Sequence, residues 1–124
     1  MAVVEIETEE AITGSGWCED GCSAISLIIE NHLSRLLIGQ DAGEIEGLWD
    51  RLFRATLPYG RKGVALHALS AIDLALWDLA GKAAGKPVYE LLGGPVKPDI
   101  PVYASALHPD RKSTRLNSSH TSTS

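Results

Sequence analysis

The chain has 124 residues, 44% hydrophobic and 22% charged, the makeup of an ordinary globular protein and not of a disordered chain. That length supports one domain with one core. The formal charge is −5; the last fourteen residues hold Arg111, Lys112 and Arg115 and no acid, which leaves −8 on residues 1–110 and argues against nucleic acid or an anionic membrane surface as partner. Two cysteines are too few for a disulfide framework, and no basic stretch leads into an apolar run near Met1, so a reduced, cytoplasmic protein is expected.

Residues 3–8 alternate, with Val4, Ile6 and Thr8 on one face and Val3, Glu5 and Glu7 on the other, the period of a half-buried strand. A second strand is expected over 11–17, and the short Glu9-Glu10 link makes the pair an antiparallel hairpin. A lone hairpin is marginal in water, which predicts a further strand before Met1. Ser23 is placed to cap a helix running to Ile38, with Ile25, Ile28, Ile29, Leu33, Leu36 and Leu37 inward and Gly39 as its stop. Asp41 and Glu44 have the spacing of a capping box, so a second helix is expected to start there, with Ile45, Leu48, Trp49, Leu52 and Phe53 as its apolar stripe, and to end before Pro58.

After the loop LPYGRKG at 57–63 comes the longest apolar run, residues 64–81, read as a third helix. Interrupted by His67, Ser70, Asp73 and Asp78, it is expected to be too short and too polar for a membrane span and to form a buried core helix. His67, Ser70, Asp78 and Gly81 lie near one narrow stripe, so the rest of its circumference needs partners. Pro87 and Gly93-Gly94 bracket a short fourth helix, and residues 100–105 return to strand character. From Asp110 the run DRKSTRLNSSH resembles the translation of a sequencing-library adapter; Leu116 is the only large apolar side chain in residues 110–124, which are read as a non-native tail.

Few residues converge as a chemical site. Cys18 and Cys22 have a spacing seen in some zinc half-sites, but no second pair completes four ligands; free thiols are the plainer reading, a redox pair the alternative. Gly14-Ser15-Gly16 looks like the start of a dinucleotide fingerprint, yet Glu19 stands where the third Gly belongs; a bulge or close backbone approach explains the glycines better. Five residues at 100° each set Asp73 and Asp78 about 140° apart around a helix, so they cannot share an ion. Asp78 instead pairs with Lys82 at i+4, while Asp73 caps a neighbouring loop or faces water. His32, His67 and His108 are scattered and read as structural. Tyr59, Arg61 and Lys62 form the one basic-aromatic cluster, either a carboxylate or phosphate contact or a solvated loop.

Residues 64–94, VALHALSAIDLALWDLAGKAAGKPVYELLGG, resemble the end of the N-terminal cap domain of the mandelate racemase and muconate lactonizing branch of the enolase superfamily, and the likeness runs from about Val3 to Asp110. Residues 59–63 and 102–110 look most like acid-sugar dehydratases of the L-rhamnonate dehydratase type. The fold this implies is α+β: an antiparallel β-hairpin or meander followed by a bundle of three to four helices. Residues 1–98 would be the cap, lacking its first strand, residues 99–109 the first strand of a missing (β/α) barrel, and residues 110–124 the tail.

The resemblance further implies a parent enzyme in which the barrel carries the chemistry: abstraction of the proton α to a carboxylate, Mg²⁺ stabilising the enediolate, and loss of the β-hydroxyl. Metal ligands and bases of such enzymes sit at the ends of barrel strands, so no catalytic or metal residue carries over to this chain, which is expected to bind no Mg²⁺ itself and to be inactive. The cap's part is specificity, through a loop at 17–22 in which Trp17, Cys18 and Glu19 would face substrate. The implied partners are the barrel, a small sugar acid and further copies of the parent in a homo-oligomer. A racemase or cycloisomerase cap is the alternative, and a free-standing helical interaction module is another.

Overall fold

The computed structural model describes residues 1–19, 23–94, 97 and 99–103. Two strands open the chain, β1 (Ala2–Glu7) and β2 (Thr13–Cys18), paired antiparallel from Ala2↔Cys18 to Glu7↔Thr13. The Thr8 N–H donates to the Ile12 carbonyl at 3.0 Å, which closes the ladder and sets its phase. Ala2, Val4, Gly14, Gly16 and Cys18 are buried on one face, whereas Val3, Glu5, Ser15 and Trp17 are exposed on the other. The period-two reading therefore holds, and burial of one face fixes the register.

A helical rod follows: α1 (Ser23–Ile28), a π turn (Ile29–Leu33) and α2 (Ser34–Leu37). Ser23 is itself helical and does not occupy the cap position expected of it. Nor is the rod a plain α-helix. The Ser34 N–H reaches the Ile29 carbonyl, five residues back, and the Ser34 hydroxyl donates to the Glu30 carbonyl at 2.7 Å. Such a side-chain bond competes with the ordinary helical one and helps to hold the wider turn. The inward set is as expected: Ile25 and Leu33 are fully buried, and Ile28, Ile29, Leu36 and Leu37 pack against the core.

The next helix, α3 (Ile45–Thr56), starts later than the capping-box reading places it. Asp41 Oδ1 accepts from the Gly43 N–H at 2.8 Å, so its carboxylate turns the chain ahead of the helix, and no side chain caps α3. Ile45, Leu48 and Leu52 are buried, and Trp49 stacks on Phe53 with centroids 5.1 Å apart.

The core is organised around α4 (Val64–Ala84), which extends three residues past its expected end at Gly81. It stops at Gly85, whose left-handed φ of 62° lets the Lys86 N–H reach the Gly81 carbonyl at 2.9 Å. Contrary to expectation, α4 has the length and apolarity of a membrane span; half of that stretch is buried inside the domain. Ala68, Leu69, Ala71, Ile72, Ala75 and Leu76 are at most 2% exposed. Gly14 and Gly16 show why β2 can lie so close to it. A Cβ on Gly16 would sit 1.9 Å from the Ala71 carbonyl, and one on Gly14 2.2 Å from the Ala75 carbonyl. Strand backbone rests on helix backbone, so the close-approach reading of these glycines is right.

Pro87 directly precedes the single turn α5 (Val88–Leu91), and Gly93-Gly94 follow it. Residues 100–103 form no strand among the described residues, and their side chains are exposed; a strand exists only by bonding a neighbour. Cys22, His108, the remainder of the expected strand and the tail lie outside the described residues. The α+β order of hairpin followed by helices is the one expected from the sequence.

Candidate functional site

The pleat of β2 decides where the first group of candidates points. Trp17, opposite Val3 on β1, is 53% exposed, and Glu19 is exposed as well. Cys18 between them points inward, a free thiol 8% exposed within the hydrophobic core. The three thus do not share a face. Trp17 and Glu19 can meet a small molecule, while Cys18 fills the core as a small apolar group.

The second group sits in the loop between α3 and α4. The Tyr59 N–H donates to the Thr56 carbonyl at 3.0 Å and the Gly60 N–H to the same carbonyl at 2.8 Å, which folds the loop back on the end of α3. The Tyr59 hydroxyl lies 2.6 Å from His32 Nδ1, with ring centroids 5.6 Å apart, so the loop is tied to the π turn. Burial pushes the Tyr59 phenol above its ordinary value. Arg61 and Lys62 are exposed and have no hydrogen-bond or ion-pair partner among the described residues. No hydrogen bond, ion pair or ring contact among the described residues joins this group to Trp17 and Glu19. The His32 contact spans 27 residues between a helix and a loop, and no local sequence pattern announces it.

The pair read from i+4 spacing is present and has more bonds than the spacing shows. Lys82 Nζ is 2.7 Å from Asp78 Oδ2 and donates to the Thr13 carbonyl at 2.8 Å, while the Ser15 N–H donates to the same Asp78 oxygen at 2.8 Å. The Lys82 hydrogen bond, and after it the Ser15 N–H, hold the Asp78 carboxyl below its ordinary value. Asp73, half-buried on another side of α4, is pushed the other way by burial. An open groove of about 310 Å³ at the α4 to α5 corner is lined by Asp78, Lys82 and Lys86 among others and includes none of the two candidate groups. Among the described residues no three His, Cys, Asp or Glu side chains converge as a metal site.

These features together, a glycine-bearing hairpin laid on an alanine-rich helix within an α+β cap, define the class. The chain belongs to the mandelate racemase / muconate lactonizing enzyme N-terminal domain family, which residues 1–93 match. Among its relatives, the L-rhamnonate dehydratase of Saccharopolyspora erythraea is 47% identical over 108 residues, 87% of this chain and 27% of the relative. A Caldivirga maquilingensis protein, provisionally given the same name, is 51% identical over the same shares. The chain thus spans about a quarter of the length of the curated relatives it matches. The crystal structure of an enolase-superfamily member from a Polaromonas species superposes with a TM-score of 0.80 at 39% identity, covering 94% of this chain and 32% of that one. L-rhamnonate dehydratase from Gibberella zeae gives 0.72 at 40% identity, covering 77% and 24%, and that enzyme has also been solved in complex with Mg.

Proposed function

We propose that this chain is the cap of an acid-sugar dehydratase of the enolase superfamily, and that it shapes which aldonate the complete enzyme accepts. The observation that carries this reading is its 47% to 51% identity, over 108 residues, to proteins named for L-rhamnonate dehydration. In the complete enzyme a barrel partner would abstract the proton α to the carboxylate and the β-hydroxyl would leave. Mg²⁺ belongs to that proposal through the barrel: the described residues of the cap offer no converging ligand set for it. The chain's own contribution is recognition. Trp17 and Glu19 would face substrate, backed by Cys18 in the core, and Arg61 and Lys62 beside Tyr59 would supply positive charge toward a carboxylate. The chain alone is inactive in this reading, and the parent is a cytoplasmic homo-oligomer. A racemase cap is the second reading; it is favoured by the likeness to a Streptomyces coelicolor racemase, with a TM-score of 0.71 at 36% identity.

The test is a chimera in which residues 1–98 replace the matching segment of the Saccharopolyspora enzyme. The chimera is expected to bind Mg²⁺ and to convert L-rhamnonate to a 2-keto-3-deoxy acid, whereas the isolated chain converts none. Because the barrel's chemistry is unchanged, a folded, Mg²⁺-loaded chimera that no longer accepts L-rhamnonate would count against a dehydratase cap and select the second reading. Turnover by the isolated chain would overturn its proposed inactivity.

A further inference from the structure

The phase of the hairpin ladder leaves the backbone groups of Thr13, Ser15 and Trp17 pointing away from β1. Thr8 and Ile12 form a hydrogen-bonded pair, so in the printed register Glu7↔Thr13, Glu5↔Ser15 and Val3↔Trp17 are the pairs that exchange no ladder bonds. Their N–H and C=O groups face outward, where a sheet edge invites another strand. On β2 two of these groups are already taken, and both by α4: the Ser15 N–H by Asp78 and the Thr13 carbonyl by Lys82. The two side chains are also bonded to each other at 2.7 Å, so each holds its neighbour in place. No side chain among the described residues serves Val3, Glu5 or Glu7 on β1 in this way.

We propose that Asp78 and Lys82 close the β2 edge of the sheet to strand addition by a second copy of this chain. An incoming strand would have to displace a charge-assisted bond at Ser15 and another at Thr13, and would leave a carboxylate and an ammonium to find new partners. An exposed Trp17 on the same strand makes such closure useful, since an open edge carrying a large aromatic is prone to self-pairing. The depressed Asp78 carboxyl fits a group that remains ionised, and so remains an acceptor, across the physiological range.

The test uses the full 124-residue chain and the double variant Asp78→Leu/Lys82→Met, which keeps apolar bulk against the strand while removing both polar heads. Two changes are expected: about tenfold faster amide exchange at Ser15, and faster growth of thioflavin-positive, β-rich aggregates from a protein with an unchanged helical spectrum. Adding Ser15→Pro, which removes the outward N–H, is expected to return aggregate growth to the parent rate. A helical double variant with parent-like exchange and growth would overturn the proposal, as would failure of the proline to slow growth. Should the double variant not fold, Lys82→Met alone carries the same expectation for aggregate growth, and a parent-like rate there overturns it equally.

Discussion

Two carboxylates on one helix show how much a residue's surroundings matter. Asp73 and Asp78 read alike in the sequence except for the lysine at i+4, and that one difference was legible. The Ser15 N–H and Thr13 carbonyl that complete the Lys82 site were not, because they lie more than sixty residues away and reach it only through the packing of β2 on α4. The two acids give opposite pH dependences. Asp73 has a folded pKa raised above its ordinary 3.8 by burial, so the folded chain holds that proton more tightly and loses stability as pH rises through the interval between the two values. Asp73→Asn is expected to stabilise the chain at neutral pH, with the gain shrinking in acid. Asp78 has a folded pKa lowered from 3.8, chiefly by Lys82, so its contribution is present above 3.8 and is lost as pH falls through the lowered value. Asp78→Asn should therefore destabilise at neutral pH and become neutral in acid. Urea midpoints at both pH values check the pair of signs.

At the scale of elements, the apolar periods foretold the helices from Ser23 to Ala84 and most of their inward residues, with Trp49 of the expected α3 stripe exposed instead, but not the capping of α3 or the π turn. Ile45, Leu48 and Leu52 recur at helical spacing and are buried, as that spacing requires. The capping box failed because Asp41 had a nearer backbone donor in Gly43, and the π turn escaped notice because a hydroxyl bond to the residue four back leaves no mark on hydrophobic spacing. The contact of β2 with α4 is where a small change should cost most. Gly16→Ala places a methyl 1.9 Å from the Ala71 carbonyl, and we expect a loss of about 2–3 kcal/mol or more in chemical denaturation. Gly47→Ala, in α3 with only Glu44 Oε2 at 4.0 Å, should instead gain roughly 0.5–1 kcal/mol from helix propensity alone. Equal losses at both sites would remove the close approach as the explanation.

Across the whole molecule, the family was readable because its signature falls on the most constrained helix, whereas the candidate site was readable only in part. Alternation along β2 separates Cys18 from Trp17 and Glu19, a signal already present in the sequence. The His32 bond to Tyr59 had no such signal. Large apolar side chains also remain outside, with Leu27 at 55% and Leu74 at 50% exposure on helices that otherwise build the core. Where such side chains lie together they favour association. The isolated chain is therefore expected to self-associate, and Leu74→Lys to raise the concentration at which association begins by about tenfold, the effect of ~1.4 kcal/mol. Sedimentation across a dilution series measures it; an unshifted onset would exclude that side of α4 from the contact.

The backbone seat of β2 on α4 also bears on how such a cap can diversify. Where strand and helix meet through side chains, each substitution shifts the strand a little and carries its loops along. Here Gly14 and Gly16 meet the Ala75 and Ala71 carbonyls, with the Leu79 Cβ as the one side-chain atom among their nearest neighbours. A strand seated in this way is held at a fixed height on the helix, so substitutions on its outer face, at Ser15 or Trp17, are expected to leave its position unchanged.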